Sequence, residues 1–321
     1  MVASLDMLYA IKTIFKAKLV VFGAKNTQKL LQNFDFIDNF ELISSSAKEN
    51  YPQIIKQINA HHCDYLIAFH SKSFLIKFLL QSNAKRIIIR LKWLSFLNFR
   101  CITINDSFIK KFFKDKTIRA KMLYYARKIN PKLYDKKINT LTFNNQIPIP
   151  LKNKNIIKEF LMSHNLKEKD FLIINPFAIT TPYNLSINCY IKLICKASLK
   201  YKIVIPTFEA VHQNFIDNLN SFKNADKNQI YIFKNDDDIL NLLALLYFSK
   251  CLISPSTGTI HLASNIKIPS IGLYLYKDDL YWKTFNQNYV FISKKQSDLS
   301  KSESEEIIEE VLKRLDELMS D

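Results

Sequence analysis

The residues best suited to chemistry in this chain are the small hydroxyl residues from Ser254 to Thr259, with His261 just beyond them. They surround Gly258, one of only three glycines in 321 residues, so the backbone there is expected to need either φ > 0 or the close approach of something to the main chain. The apolar run from Cys251 to Ile253 reads as a short strand, helical spacing begins near Ile260, and Pro269 opens a second apolar strand from Ser270 to Tyr274. A loop that ends at a helix N-terminus presents unbonded N–H groups and the positive end of the helix dipole. The chemistry it suits is the binding of an anion, and a phosphate is the obvious candidate.

Other chemistries are poorly served. The five cysteines (Cys63, Cys101, Cys189, Cys195, Cys251) lie on apolar segments without CxxC spacing, and among the six histidines only His61 and His62 are neighbours. Free buried thiols and no metal site are the expectation. None of the glycines belongs to a P-loop or a GxGxxG, which argues against Walker-type ATPases and nicotinamide dinucleotides. The longest apolar run, Ile239 to Phe248, is far short of the ~20 residues that span a bilayer, and the N-terminus lacks the basic start of a signal peptide. A cytoplasmic protein is expected.

The formal charge of +17 is unevenly placed. From Lys85 to Lys137 there are sixteen Lys or Arg and three Asp, a net of +13, whereas Asp298 to Asp321 holds three bases and nine acids, a net of −6. A basic region of this kind suits an anionic partner. The set Arg86, Arg90, Lys92, Arg100, Lys110, Lys111 and Arg119 is read as a surface for phosphorylated lipid or an anionic membrane face, or as an ordinary solvated surface. No stacking or groove motif of a nucleic-acid binder accompanies it, so nucleic acid is not expected as a partner.

Around these residues, helical and strand-like segments alternate. Leu5, Leu8, Ile11 and Phe15 have helical spacing; the stretches 18–23, 40–43, 64–70 and 86–90 read as strands with helices between them. The stretch 108–129 reads as a helix with interleaved aromatics. The polar and then proline-punctuated segment 144–150 reads as a linker, giving domains 1–150 and 151–321. Alternation then resumes with strands at 170–176, 202–206 and 229–233, a helix capped by Ser186 and a helix from Asp238. A final amphipathic helix from Ser302 to Met319 has an expected capping box at Ser302 and Glu305. The pattern predicts an α/β protein with parallel sheets and ligands at the carboxyl ends of the strands.

The run Ser-Thr-Gly-Thr-Ile-His-Leu-Ala-Ser (256–264), with Pro-Ser-Ile-Gly-Leu-Tyr (269–274) shortly after it, resembles the signature of glycosyltransferase family 9, the ADP-heptose:lipopolysaccharide heptosyltransferases. The strand and loop at 173–178, the strand at 64–70 and the strand with its acidic loop at 202–209 are similar to the family in order and spacing. The resemblance implies a GT-B fold, two Rossmann-like domains facing a cleft, with the nucleotide sugar held by the C-terminal domain and the acceptor by the N-terminal one. It implies inverting, metal-independent transfer from an ADP-heptose-like donor to the lipid A-core acceptor, with ADP as leaving group and no cofactor. The protein would then be a monomer, peripheral on the cytoplasmic face of the inner membrane of a Gram-negative bacterium.

On this resemblance the donor-binding residues are Asn175, Pro176, Glu209, Ser256, Thr257, Gly258, Thr259 and His261. The chain also departs from the family pattern. Met1 to Leu5 resembles the family's segment immediately after its first strand and Gly-Asp pair, whose aspartate is the proposed base. The catalytic residue is therefore unassigned, with Asp6 either a substitute base or a helix-surface acid. Tyr183 to Ser186 lacks the family's usual Lys or Arg, and Ser256 stands where an aspartate commonly precedes the Ser/Thr-Gly pair.

Overall fold

The computed structural model describes residues 2–43, 50–69, 73–106, 115–178, 181–222, 227–276 and 279–320. It divides into two compact units, Ala3–Asn145 and Gln146–Asp321.

In the first unit, β1 (Val20–Gly23) pairs in parallel with β2 (Asn39–Leu42), and β3 (Tyr65–Ala68), β4 (Arg86–Arg90) and β5 (Cys101–Ile104) form a second parallel sheet. Its helices are α1 (Leu5–Phe15), α2 (Lys25–Leu31), α3 (Tyr51–Ala60), α4 (Ser73–Leu79), α5 (Trp93–Phe96), α6 (Ile118–Arg127) and α7 (Pro131–Lys137). The apolar stripe of α1 is buried at Leu5, Leu8 and Ile11, and α1 packs along α6. Of the aromatics read on the basic helix, Tyr125 is fully buried and belongs to the core. Phe112, Phe113 and the first half of that expected helix lie outside the described residues. In the described part, Thr117 caps α6 by accepting from the Ala120 N–H at 3.2 Å, which starts the helix at Ile118.

The second unit holds one six-stranded parallel sheet. Its strands are β6 (Phe171–Ile174), β7 (Lys202–Phe208), β8 (Ile230–Asn235), β9 (Cys251–Pro255), β10 (Ser270–Leu275) and β11 (Gln287–Ile292), in the order β11-β10-β9-β6-β7-β8. Counted outward from the centre of the sheet, this is the doubly wound order 3-2-1-4-5-6, and the order reverses between β6 and β9. The register there pairs Leu172 with Cys251, Ile173 with Leu252 and Ile174 with Ile253. Helices cover both faces, which is why β6 and β9 are unbroken buried runs rather than alternating ones.

Those helices are α8 (Leu151–Ser163), α9 (Ile187–Ser198), α10 (Glu209–Ser221), α11 (Ile239–Phe248), α12 (Gly258–Asn265), α13 (Asp279–Trp282) and α14 (Lys301–Ser320). Ser186 caps α9 as expected, accepting from the Cys189 N–H. Asn241, which interrupts the apolar run of α11, is buried because its side-chain oxygen accepts from the Asn153 amide of α8 at 2.7 Å.

The last helix differs from expectation at its start. The reciprocal cap is made by Ser300 and Glu303, not Ser302 and Glu305: the Glu303 N–H donates to Ser300 Oγ, and the Ser300 N–H donates to Glu303 Oε2. Glu305 instead pairs with Lys192 and Lys196 of α9 at 2.6 and 3.4 Å. The apolar face of α14 (Ile308, Val311, Leu315) is fully buried in the core shared with α9 and the sheet.

Candidate functional site

Because all six strands are parallel, the residues after β6, β7 and β9 meet at one edge of the sheet, the edge where doubly wound folds place their ligands. Asn175 comes directly after β6 and is 6% exposed. Its N–H donates to the Ile253 carbonyl at 2.9 Å, and its side-chain amide donates to Ser254 Oγ at 3.1 Å and Thr259 Oγ1 at 3.2 Å. Its side-chain oxygen accepts from the Phe177 N–H. Ser254 Oγ also lies 3.3 Å from Thr257 Oγ1. Asn175, Ser254, Thr257 and Thr259 are thus one network that fixes the turn to the two central strands, and Pro176 is buried behind it.

What the network positions is the first turn of α12. The helix starts at Gly258, two residues before the apolar spacing indicated. Thr257 is its N-cap in extended conformation (φ −132°, ψ 176°), yet its side chain bonds none of the helix N–H groups. The Thr257 carbonyl takes the Ile260 N–H at 3.2 Å, and among the described residues no side chain accepts from the Gly258 or Thr259 N–H. Gly258 does not have a positive φ, and a Cβ built on it would meet no protein atom within 4 Å. Of the two reasons for a glycine, left-handed backbone is therefore excluded. The space over the Gly258 Cα is open.

Ser256 plays a different part from its neighbours. Its N–H donates to the Leu273 carbonyl at 2.9 Å, so it ties β9 to β10. Burial drives the Tyr274 phenol well above its ordinary pKa.

His261 is three residues along α12 from Gly258 and hence on the same helix face. Its ring meets Trp282 edge-on at 5.8 Å. Burial pushes its pKa down to about 4, so the imidazole is neutral at pH 7 and adds no charge to the site. In the unfolded chain the same group takes a proton near pH 6.5. Below that value the unfolded state binds the proton first, so stability present at pH 7 is lost as the pH falls from about 6.5 to about 4. The loss is expected to be on the order of 3 kcal/mol. Thermal melts across this range should show a shallower fall for His261→Gln than for the parent protein.

Glu209 opens α10 at the end of β7, on the same sheet edge, with its carboxylate largely exposed and paired to Lys234 at 2.8 Å. Lys234 holds that carboxyl below its ordinary pKa. At the loop that lacks the family's cation, Asn184 is buried and accepts from the Tyr190 hydroxyl at 2.7 Å.

The basic set divides. Arg86 and Lys92 are exposed on the first unit, and Arg90 is half-exposed and paired with Asp106 at 2.8 Å. Arg100 is not a free surface cation: its guanidinium donates to the Leu80, Ser82 and Ala84 carbonyls and so clips the end of α4. Arg119 is held by Asp6 at 2.5 Å and sits over the Phe143 ring. Lys110 and Lys111 lie outside the described residues. Asp6 itself has both carboxylate oxygens engaged, one by Arg119 and the other by the Asn145 amide at 2.8 Å, and so clasps α1 to α6.

Among the described residues no group of three His, Cys, Asp or Glu is placed to hold a metal ion, and no helix is long and apolar enough to cross a membrane. No family model and no curated protein matches the chain by sequence. Solved structures match it by shape. A glycosyl transferase family 9 protein from Veillonella parvula is 13% identical with a TM-score of 0.70 over 98% of this chain and 87% of its own. The ADP-heptose LPS heptosyltransferase II of E. coli is 11% identical with a TM-score of 0.70, covering 98% and 96% of the two chains. An E. coli heptosyltransferase solved with ADP is 12% identical with a TM-score of 0.63, covering 96% and 95%. The fold of this chain is thus the GT-B fold of the family 9 glycosyltransferases and heptosyltransferases.

Proposed function

We propose that this protein is a glycosyltransferase that moves a heptose or related sugar from an ADP-sugar to the lipid A-core acceptor of lipopolysaccharide or lipooligosaccharide. The single observation that carries the reading is the N-terminus of α12. It is an uncapped helix end at the strand-order reversal, with a glycine whose missing side chain leaves open the space that a diphosphate would enter. The second unit holds the donor, and the first unit takes the acceptor.

In the transfer, an acceptor hydroxyl attacks the anomeric carbon while the bond from that carbon to the diphosphate oxygen breaks, with inversion. ADP leaves with the electron pair, and the hydroxyl proton passes to a base. The N–H groups at Gly258 and Thr259 would bond the charge that grows on the diphosphate, which needs no metal ion. Asn175 and Thr259 hold those groups in place before the donor arrives, so little reorganisation accompanies the reaction. The enzyme would work as a peripheral protein on the cytoplasmic face of the inner membrane.

A second reading, a degenerate, non-catalytic homologue that binds nucleotide or phosphorylated lipid only, is favoured by one observation. Asp6, the carboxylate offered as substitute base, has both oxygens engaged by Arg119 and Asn145.

A thermal-shift panel of ADP-, UDP- and GDP-sugars with and without a chelator tests the proposal. ADP-heptose is expected to stabilise the protein most, with no effect of the chelator. At a concentration 100 times the Kd the gain would be about 2.7 kcal/mol. Stabilisation by none of the three classes would overturn the donor reading. Stabilisation without release of ADP in the presence of the lipid acceptor would select the second reading.

A further inference from the structure

The crossover from β4 to β5 in the first unit carries side chains that its fold does not use. Trp93, Phe96, Leu97 and Phe99 are 74%, 67%, 63% and 86% exposed, within seven consecutive residues. Scattered exposed apolar residues are ordinary, but four large ones on one short turn are not.

The turn is firmly held. Ser95 is fully buried; its hydroxyl accepts from the Lys92 N–H at 2.8 Å and lies 3.1 Å from the Arg90 carbonyl. Leu94 packs inward against the core of β4 and α4. At the other end, Arg86 donates to the Phe99 carbonyl at 2.9 Å, and the Arg100 guanidinium is fixed on the end of α4. The segment therefore has a built inner side and an outer side made of aromatic and aliphatic groups.

The charge around it is predominantly positive. From Tyr65 to Asn105 the chain contains seven Lys or Arg and no Asp or Glu. Arg90 and Lys92 flank the Trp93 end, and Lys85 and Arg86 flank the Phe99 end. Lys85 and Arg90 pair with Asp64 and Asp106, which border this acid-free stretch. Lys92 is exposed and has no ion-pair partner among the described residues.

An apolar ridge with tryptophan and phenylalanine, bordered by cations at both ends, matches the boundary of an anionic bilayer, where acyl chains lie beneath a layer of phosphates. We propose that the Trp93–Phe99 turn docks the first unit on an anionic lipid membrane. Trp93, Phe96, Leu97 and Phe99 enter the headgroup boundary, and Arg86 and Lys92, one at each end of the ridge, meet the lipid phosphates. The biological sense of this docking rests on the proposed lipid-borne acceptor, but the docking is readable without any nucleotide.

The test is flotation of the full chain with phosphatidylglycerol-containing vesicles and with pure phosphatidylcholine vesicles, with tryptophan quenching by bromine-labelled lipid. The protein is expected to float with the anionic vesicles, less so as salt is raised, and to lose emission to the quencher. Replacing both Trp93 and Phe99 by Ser is expected to lower vesicle affinity by roughly a hundredfold. The melting temperature and the nucleotide-induced shift should stay unchanged, because both side chains are exposed. Lys92→Glu is expected to weaken binding to anionic vesicles only. Absence of binding to anionic vesicles, or binding unaffected by the double substitution, would overturn the proposal. So would self-association of the parent protein that the same substitutions abolish without vesicle binding, since the ridge would then face a second copy. If docking fails while the nucleotide shift survives, the transferase reading stands without it.

Discussion

Gly258→Asp is expected to remove nucleotide-induced stabilisation altogether, whereas Gly258→Ala is expected to weaken it and leave the free protein as stable as before or slightly more so. The difference arises from what the residue touches. No protein atom lies within 4 Å of the position a Cβ would take, and φ is not positive, so an alanine enters without strain. At the first position of a helix it should even stabilise the free protein by about 0.4–1 kcal/mol, through a less flexible unfolded chain.

The same methyl group would stand where the proposed diphosphate would approach the backbone. An affinity loss of about tenfold, near 1.4 kcal/mol, is expected from it. A carboxylate there adds like-charge repulsion of several kcal/mol, which takes the loss beyond a hundredfold. In melts at a donor concentration 100 times the parent Kd, the parent should gain about 5–10 °C and Gly258→Asp nothing. Equal shifts for the parent and both variants would refute the anion-cradle assignment.

Gly272→Ala is expected to do the reverse, unfolding the protein more easily whether or not nucleotide is present. Gly272 lies in β10 opposite Ser254 of β9 and Tyr289 of β11. A Cβ there would collide with the Gln287 amide and the Tyr274 ring, and would stand 2.9 Å from the tip of Ile260 in the first turn of α12. Of these neighbours the Tyr274 ring yields least easily. Tyr274 is fully buried, and its hydroxyl accepts from the Gln287 amide at 3.0 Å.

Overpacking of this kind costs about 1–3 kcal/mol, which corresponds to a fall of roughly 2–12 °C in Tm. Because Ile260 and Ser256 lie beside the turn proposed to hold the diphosphate, some donor affinity should go with it. An unchanged Tm, read by calorimetry, would show that Tyr274 and Gln287 repack without cost. The two glycines of one motif thus answer different demands, one set by the protein's own packing and the other by the open approach to its backbone.

Much of this molecule is legible along the chain because it depends on near neighbours. The β6, β9 and β10 strands stand out as buried apolar runs, and the caps of Ser186 and Asp238 announce their helices. Two strands escape this reading. β5 (Cys101–Ile104) is a four-residue run interrupted by Thr103, and β11 (Gln287–Ile292) opens with polar residues, of which Gln287 bonds Tyr274 of the neighbouring β10. The start of α14 is misread because two Ser-x-x-Glu patterns overlap there. The choice between them is made by Lys192 and Lys196, more than a hundred residues away, which take Glu305 for themselves.

Local signals along the chain establish an α/β protein with parallel strands and mark the turn around Gly258 as its candidate anion site. Hydrophobic periodicity, cap residues and the scarcity of glycine act within a few residues of where they are read. The strand order, by contrast, emerges only on folding, because pairing between β6 and β9 joins segments some eighty residues apart with no local trace. That order brings Asn175 onto Ser254 and Thr259 and leaves Gly258 open while Gly272 is packed tight. In the first unit, folding sends Asp6 into a clasp with Arg119 and turns Arg100 inward while the aromatic residues beside it face outward. Burial and side-chain partners are properties of the whole packed chain, and they separate the residues that hold the fold from those left open to a ligand.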